Sequence, residues 1–285
     1  MKNSPETSRT PTIELVRVGG RTVRAAFWAA PKSTKDTAAP LPILFFNGIG
    51  ANIELMTPLA DWFMDRAIVT FDMPGVGRSP SPLLPYRPWM MARLAARLLD
   101  RYGIDRVDVM GVSWGGGMAQ QFAFQHGRRV GHMILAATTA GALMVPGDWQ
   151  AIAKMAHPER YMDPTYMKRH FGTLYGDDPA EAGPHVARIS EPSRIGYAFQ
   201  LAAMAGWTSA PWLPLVKTPT LVMMGDRDRL VPLVNGKILT RLLPNAQLNI
   251  VKGGGHLFLV SKAPEVMPIM RAFLDAPVVH QKKAA

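Results

Sequence analysis

A chain of 285 residues, 48% of them hydrophobic, can bury the core of one large α/β domain with an insertion, and is too apolar to stay disordered. It has no cysteine, which excludes disulfides, thiolate metal sites and a cysteine nucleophile. The net charge of +11 raises nucleic acid as a partner, but the basic residues are scattered and no RNP, zinc-finger or P-loop pattern appears.

Arg93, Arg97 and Arg101 recur on what reads as the solvated face of one helix. The charge therefore reads as a basic solvated surface, with weak attraction to an anionic surface or acidic products as the alternative; no nucleic-acid partner is expected. The opening stretch, MKNSPETSRT, lacks the apolar region of a secretory signal. Met133 to Val145 is broken by Thr138, Thr139 and Gly141, too short and too polar to span a bilayer. The expectation is a cytoplasmic protein with no transmembrane segment.

In chain order, Thr12 to Val18 and Thr22 to Trp28 read as a hairpin turning at Gly19-Gly20. Pro42 to Asn47 is a nearly continuous apolar run, as in a strand buried on both faces. Ala67 to Phe71 is the next strand. From Met91 onward, Leu94, Ala95, Leu98, Leu99 and Tyr102 recur at helical spacing. Val107 to Val112 reads as a strand, Gly116 to Gln125 as a helix, and Val130 to Ala137 as a strand. Thr220 to Met224 and Gln247 to Val251 are late strands, separated by a helix through Ile238 to Leu243; a last helix runs through Val266 to Leu274. The alternation predicts a mainly parallel sheet with helices on both faces.

Residues 141–214 break the rhythm. They show no clear strand and are rich in Met, Pro and aromatics, including Met155, Tyr161, Met162, Tyr166, Met167, Phe171, Tyr175, Tyr197, Phe199, Trp207 and Trp212. A structureless loop of that length is improbable in a compact domain. The stretch is expected to be a helical cap over a core made of residues 1–140 and 215–285. Most of its apolar side chains should simply pack, and some should face substrate and govern substrate preference.

Gly111-Val112-Ser113-Trp114-Gly115 reads G-x-S-x-G between a strand and a helix. A serine on such a tight turn stands clear of the sheet, so Ser113 is the candidate nucleophile. A hydroxyl needs a base within reach. Of seven histidines, His256 follows a strand within Gly253-Gly254-Gly255-His256 and precedes the last helix; His126, His132 and His185 lack such a setting. The base needs a carboxylate to hold its tautomer. Asp228, in Gly225-Asp226-Arg227-Asp228 after a strand, fits best, while Asp226 reads as a brace of the turn. The oxyanion donors are expected to be the backbone N–H groups of Trp114 and of Ile49, in the loop Asn47-Gly48-Ile49-Gly50. Asn47, Trp207 and Trp212 are the expected substrate contacts. No metal site, cofactor or nucleotide loop is visible.

These residues identify a family. The chain resembles α/β-hydrolases throughout, and more narrowly the intracellular depolymerases of medium-chain-length poly(3-hydroxyalkanoate). The resemblance rests on Phe46-Asn47-Gly48-Ile49-Gly50-Ala51-Asn52, Phe71 to Gly77, Gly111 to Gly116, Leu135-Ala136-Ala137-Thr138, Met144-Val145-Pro146-Gly147, Gly206-Trp207-Thr208-Ser209, Pro244-Asn245-Ala246-Gln247 and Gly255 to Leu259. It implies the α/β-hydrolase fold, a mainly parallel eight-stranded sheet with helices on both faces and a helical cap insertion, with Ser113 as nucleophile, Asp228 as acid and His256 as base. It also implies hydrolysis of the ester bonds of a stored polyester, to 3-hydroxy acids or oligomers, at granule surfaces where granule-associated proteins would be partners. Arg78 stands where the family commonly has a small residue. A hydroxyacyl transferase or a small-ester carboxylesterase on the same fold is the alternative, and a non-catalytic binding protein is a third reading that an intact triad disfavours. Epoxide hydrolase or dehalogenase chemistry is disfavoured, because Ser113 stands where those need an aspartate.

Overall fold

The first strands form a hairpin, and the central ones are covered on both faces. The computed structural model describes residues 9–31, 39–157, 163–176 and 182–277. β1 (Thr12–Val18) and β2 (Arg21–Trp28) pair antiparallel, with Gly19 and Gly20 at positive φ in the turn. β3 (Ile43–Phe46), β4 (Ile68–Phe71), β5 (Val107–Val112), β6 (Val130–Ala136), β7 (Thr220–Gly225) and β8 (Ala246–Val251) follow. They form one eight-stranded sheet in the order β1-β2-β4-β3-β5-β6-β7-β8. β2 pairs with β4 antiparallel, and every pair from β4 onward is parallel.

Side chains alternate across a strand, so β3 feeds two cores at once. Leu44 and Phe46 join one cluster with Leu98, Met118 and Phe122; Ile43 and Phe45 join another with Phe63, Val266 and Met270. The first cluster is covered by α2 (Pro88–Arg101) and α3 (Trp114–His126), the second by α1 (Thr57–Ala60), α9 (Phe258–Ser261) and α10 (Ala263–Leu274). A further helix, α8 (Leu233–Leu242), links β7 to β8. On α2, Leu94, Ala95, Leu98 and Leu99 are buried while Arg93, Arg97 and Arg101 are exposed, the division their spacing requires.

Between β6 and β7 lie α4 (Trp149–Ala156), α5 (Pro164–Tyr175), α6 (Ala182–Val186) and α7 (Arg194–Met204). Three of them start on side-chain caps: Asp148 accepts from the N–H of Gln150 and Ala151, Asp163 from Thr165, and Ser193 from Gly196. Among the described residues here the only β pairing is a single bridge, Gly141 to Thr208. Tyr161 and Met162 lie outside the described residues. No described helix is long and apolar enough to cross a membrane.

Candidate active site

β5 runs directly into α3, and Ser113 is the residue at the corner. Its backbone sits at φ 54°, ψ −121°, a conformation that L-residues avoid and that surrounding contacts must hold. Those contacts are present. Ser113 N donates to Ala136 O at 2.9 Å, and Ser113 O accepts from Gly116 N at 2.9 Å and from Thr138 Oγ1 at 2.7 Å. The flanking glycines are needed for space. A Cβ on Gly115 would stand 2.1 Å from Phe46 O, and one on Gly111 would stand 2.3 Å from Gly115 O.

The loop after β8 brings His256 over this corner. His256 Nδ1 lies 2.8 Å from Asp228 Oδ2, and both side chains are almost fully buried. The other carboxylate oxygen, Oδ1, accepts the N–H of Leu230 and of Val231, each at 2.9 Å. With one oxygen held by two backbone donors, the other is aimed at the imidazole, which fixes the proton on Nδ1. The backbone N–H of His256 donates to Tyr175 O at 2.6 Å, and the two rings lie parallel with centroids 6.1 Å apart. Asp226 is exposed and accepts the N–H of Gly253 at 2.7 Å, bracing the turn beneath the histidine.

Ser113 stands between two cavities. One, of about 130 Å³, has Ser113, His256, Asn47, Gly48 and Ile49 in its wall. The other, of about 430 Å³, shares Ser113 and Ile49 and adds Trp114, Thr138, Thr139 and Met144. A Cβ on Gly48 would lie 3.9 Å from Ser113 Cβ, so the loop after β3 passes alongside the serine. Trp114 opens α3, and the first N–H groups of a helix have no partner within it. Gln200, buried on α7, holds both sides of this arrangement: its Oε1 accepts Gly50 N at 2.7 Å and its backbone O accepts Trp114 Nε1 at 3.1 Å.

Behind the same loop lies a charged cluster. Arg24 pairs with Glu54 at 2.6 Å and with Asp72 at 3.2 Å. Asp72 also accepts the N–H of Ile53 and of Arg78. Burial pushes the Asp72 carboxyl up to about 6, although those donors and Arg24 pull the other way. At Glu54 burial also acts upward, but hydrogen bonds from Arg24 and Asn52 outweigh it and hold the carboxyl down at about 2. Asn52 further ties this loop to the segment after α6, donating to Arg188 O and accepting Ser190 N. Arg78 is exposed and lies in the wall of neither cavity.

The sequence expectations divide here. Ser113, Asp228, His256, Ile49, Trp114 and Asn47 gather in one region. Asn47 is in the wall of the smaller cavity, with its amide engaged to Asn52 O and its carbonyl to Gly48 N. Trp207 and Trp212 are placed elsewhere, in the wall of neither cavity. Trp207 packs against Gly117 and Gly141 and donates to Gln121 Oε1 at 2.9 Å; Trp212 stacks on Phe124. They brace the base of the 141–214 stretch. Of that stretch's Met and aromatic residues, Met155 and Tyr175 reach the smaller cavity, joined by His185, which sequence reasoning passed over. Nothing in the local sequence of His185 signals this, since α6 brings it there from a distance. His132 forms a second buried histidine–carboxylate pair, with Asp108 at 3.0 Å, but Arg66 occupies the other oxygen at 2.8 Å and the pair is structural. Among the described residues no group of His, Asp and Glu could hold a metal ion.

The chain belongs to the α/β-hydrolase family, whose model (alpha/beta hydrolase fold) matches residues 42–263. It is 44% identical over 253 residues to the poly(3-hydroxyalkanoate) depolymerase of Ectopseudomonas oleovorans, covering 86% of this chain and 89% of that one. It is 26% identical to the 2-hydroxymuconate semialdehyde hydrolase of Pseudomonas putida, covering 98% of this chain and 99% of that one. The solved enol-lactonase from Burkholderia xenovorans LB400 superposes with a TM-score of 0.74 at 20% identity, over 92% of this chain and 100% of that one, a likeness of fold. The protein is a hydrolase of this family.

Proposed function

We propose that this hydrolase cleaves the ester bonds of a medium-chain-length poly(3-hydroxyalkanoate), releasing 3-hydroxy acids or oligomers through an acyl-enzyme on Ser113. The observation that carries the reading is the buried Asp228–His256 hydrogen bond opening onto the same apolar cavity as Ser113. The 44% identical relative, a poly(3-hydroxyalkanoate) depolymerase, supports the substrate.

The proposed chemistry is that of a Ser-His-Asp triad. Asp228 keeps the His256 proton on Nδ1, so Nε2 is free to take the Ser113 proton as Oγ attacks the ester carbonyl. The N–H groups of Trp114 and Ile49 receive the developing oxyanion. Loss of one such donor typically costs about 100- to 1000-fold in rate. His256 then protonates the departing oxygen, which becomes the hydroxyl of the next polymer unit. Water, deprotonated by His256, releases the acyl group as a 3-hydroxy acid. A polymer needs room on both sides of the scissile bond, and the two cavities sharing Ser113 and Ile49 supply it. Residues 141–214 act as a cap on a core of residues 1–140 and 215–285, and the cap moves or lets one strand thread beneath it. The working place is the cytoplasm, at the surface of polyester granules.

The test is incubation of wild type and Ser113→Ala with amorphous medium-chain and short-chain granules, reading released acids by mass spectrometry. Release of medium-chain 3-hydroxy acids by wild type alone is expected. No release from either polymer, or equal release by Ser113→Ala, would remove the reading.

A further inference from the structure

The smaller cavity at Ser113 has walls of unequal origin. Residues 141–214 give it Met155, Tyr175 and His185. Most of its apolar lining residues come from the core. The turn and short helix after β3 supply Leu55, Leu59 and Trp62, and the region of α9 and the start of α10 supplies Leu259, Val260 and Ala263. The α1 and α9 segments pack against each other. Leu59 and Leu259 are anchored in the second core cluster, with Trp62 and Ala263 packed against it. Leu55, Trp62, Val260 and Ala263 are only half-buried in the free protein, so apolar surface is left for something else to cover.

We propose that this core-side wall is the binding site for the alkyl side chain of the 3-hydroxyacyl unit, and that it, rather than the cap, sets the preferred chain length. The inference rests on the ester-hydrolase reading above. Chemistry supports an alkyl occupant. The wall carries no charged side chain, and the polar groups of the cavity lie with the serine, the histidines, Tyr175 and Asn47. Size agrees as well. A cavity of about 130 Å³ is close to the apolar cavities that hold a benzene ring, six carbons in all. A 3-hydroxyoctanoyl unit has a five-carbon side chain. A methyl side chain would leave most of the wall uncovered. The second cavity, with Thr138 and Thr139 in its wall, suits the ester-bearing leaving chain better.

The test uses soluble nitrophenyl esters on the full-length protein, which separates it from the granule assay. An octanoyl ester has the carbon chain of the 3-hydroxyoctanoyl unit without its hydroxyl. Each further buried methylene should raise kcat/KM about fourfold until the pocket is full. The readout is the octanoate-to-butanoate ratio of kcat/KM, with thermal melts to check folding. Val260→Phe and the milder Ala263→Leu fill the pocket and should lower the ratio by about tenfold or more, the worth of two methylenes. Trp62→Ala enlarges it and should move the optimum to longer esters. If the ratio is unchanged in folded Ala263→Leu and Trp62→Ala, or shifts instead with Met155→Phe or with Met144→Phe in the second cavity, the assignment is overturned. Esters cleaved without these shifts would remove only the pocket. Esters left untouched would remove the ester-hydrolase reading and the pocket with it. Esters cleaved with the expected shifts, but no release from granules, would leave the pocket standing and remove the polymer.

Discussion

Replacing Asp228 by Asn should cost on the order of 10⁴ in kcat, because the structure forces the new amide into the wrong orientation. Asp228 Oδ1 accepts two backbone N–H groups, from Leu230 and Val231, each at 2.9 Å. An asparagine would keep its oxygen there. Flipping it would oppose an NH₂ group to two N–H donors and forfeit two hydrogen bonds, each worth about 0.5–1.5 kcal/mol. The NH₂ group must then face His256 Nδ1, which lies 2.8 Å from the present Oδ2. A donor facing Nδ1 makes Nδ1 the acceptor, and the imidazole proton moves to Nε2. A histidine protonated at Nε2 has no lone pair for the Ser113 proton. Asp226→Asn is the control. Its oxygen can still accept Gly253 N, at 2.7 Å in wild type, so activity should fall less than about tenfold, equivalent to 1.4 kcal/mol. The assay is kcat on nitrophenyl octanoate for both variants, with thermal melts alongside. Equal losses, or a larger loss for Asp226→Asn, would refute the reasoning.

Ser113→Ala should abolish ester hydrolysis while the fold survives, and a serine-reactive phosphonate should label wild type at Ser113, as peptide mass spectrometry would show; labelling of another serine would contradict the site. Gln200→Leu strands the buried Gly50 N–H, a cost of about 1–3 kcal/mol falling on the loop that holds Ile49, so kcat should drop about 10- to 100-fold with KM little changed. A rise in KM alone would show that Gln200 serves substrate binding instead. Glu54 has a folded pKa of about 2, below its ordinary 4.5, so its stabilisation is present above pH 4.5 and is lost as pH falls toward 2. Urea unfolding at a series of pH values should show wild type more stable than Glu54→Gln above that window, with the difference closing inside it; a difference independent of pH would contradict the assignment.

The strands are legible to within about a residue: for β3 to β7, continuous apolar runs leave little choice of where a strand covered on both faces begins, and for β1 and β2 Gly19-Gly20 marks the turn. Helix starts were less so, and the reasons are local. The helix expected from Met91 begins at Pro88, whose fixed φ suits a first turn. The helix expected from Gly116 begins at Trp114, because Gly115 to Gly117 read as loop by propensity while close approach is what demands glycine there. In the 141–214 stretch, Asp148, Asp163 and Ser193 were visible cap signals that would have placed three helix starts. Ser113, Asp228 and His256, which the structure gathers in one region, stand out in the sequence because each sits in a short motif after a strand. The pocket wall was not. Trp62 and Val260 are almost two hundred positions apart, and only the packing of α1 on α9 brings them to one cavity. Trp207 and Trp212 show the converse: they are close to the site in sequence pattern, yet they pack against Gly117, Gly141 and Phe124 outside both cavity walls.

The helices of residues 141–214 are also not a removable lid, and this changes how their role is tested. His256 N donates to Tyr175 O, Gly50 N to Gln200 Oε1, and Ser193 N to Gly75 O. Asn52 is bonded to Arg188 and Ser190. The stretch thus supplies hydrogen-bond partners to the loops after β3 and β8, which line the candidate site, and to the loop after β4. Replacing it by a short linker would strand those groups together, each at a cost of about 1–3 kcal/mol where burial persisted, and the loops would move. A change of chain-length preference in such a deletion would then report a displaced loop, not a lost contact. Point substitutions at Met155 and Ala263 avoid the ambiguity, because neither side chain carries a hydrogen bond to these loops. Comparing those two substitutions on the same ester series assigns the preference to cap or core directly.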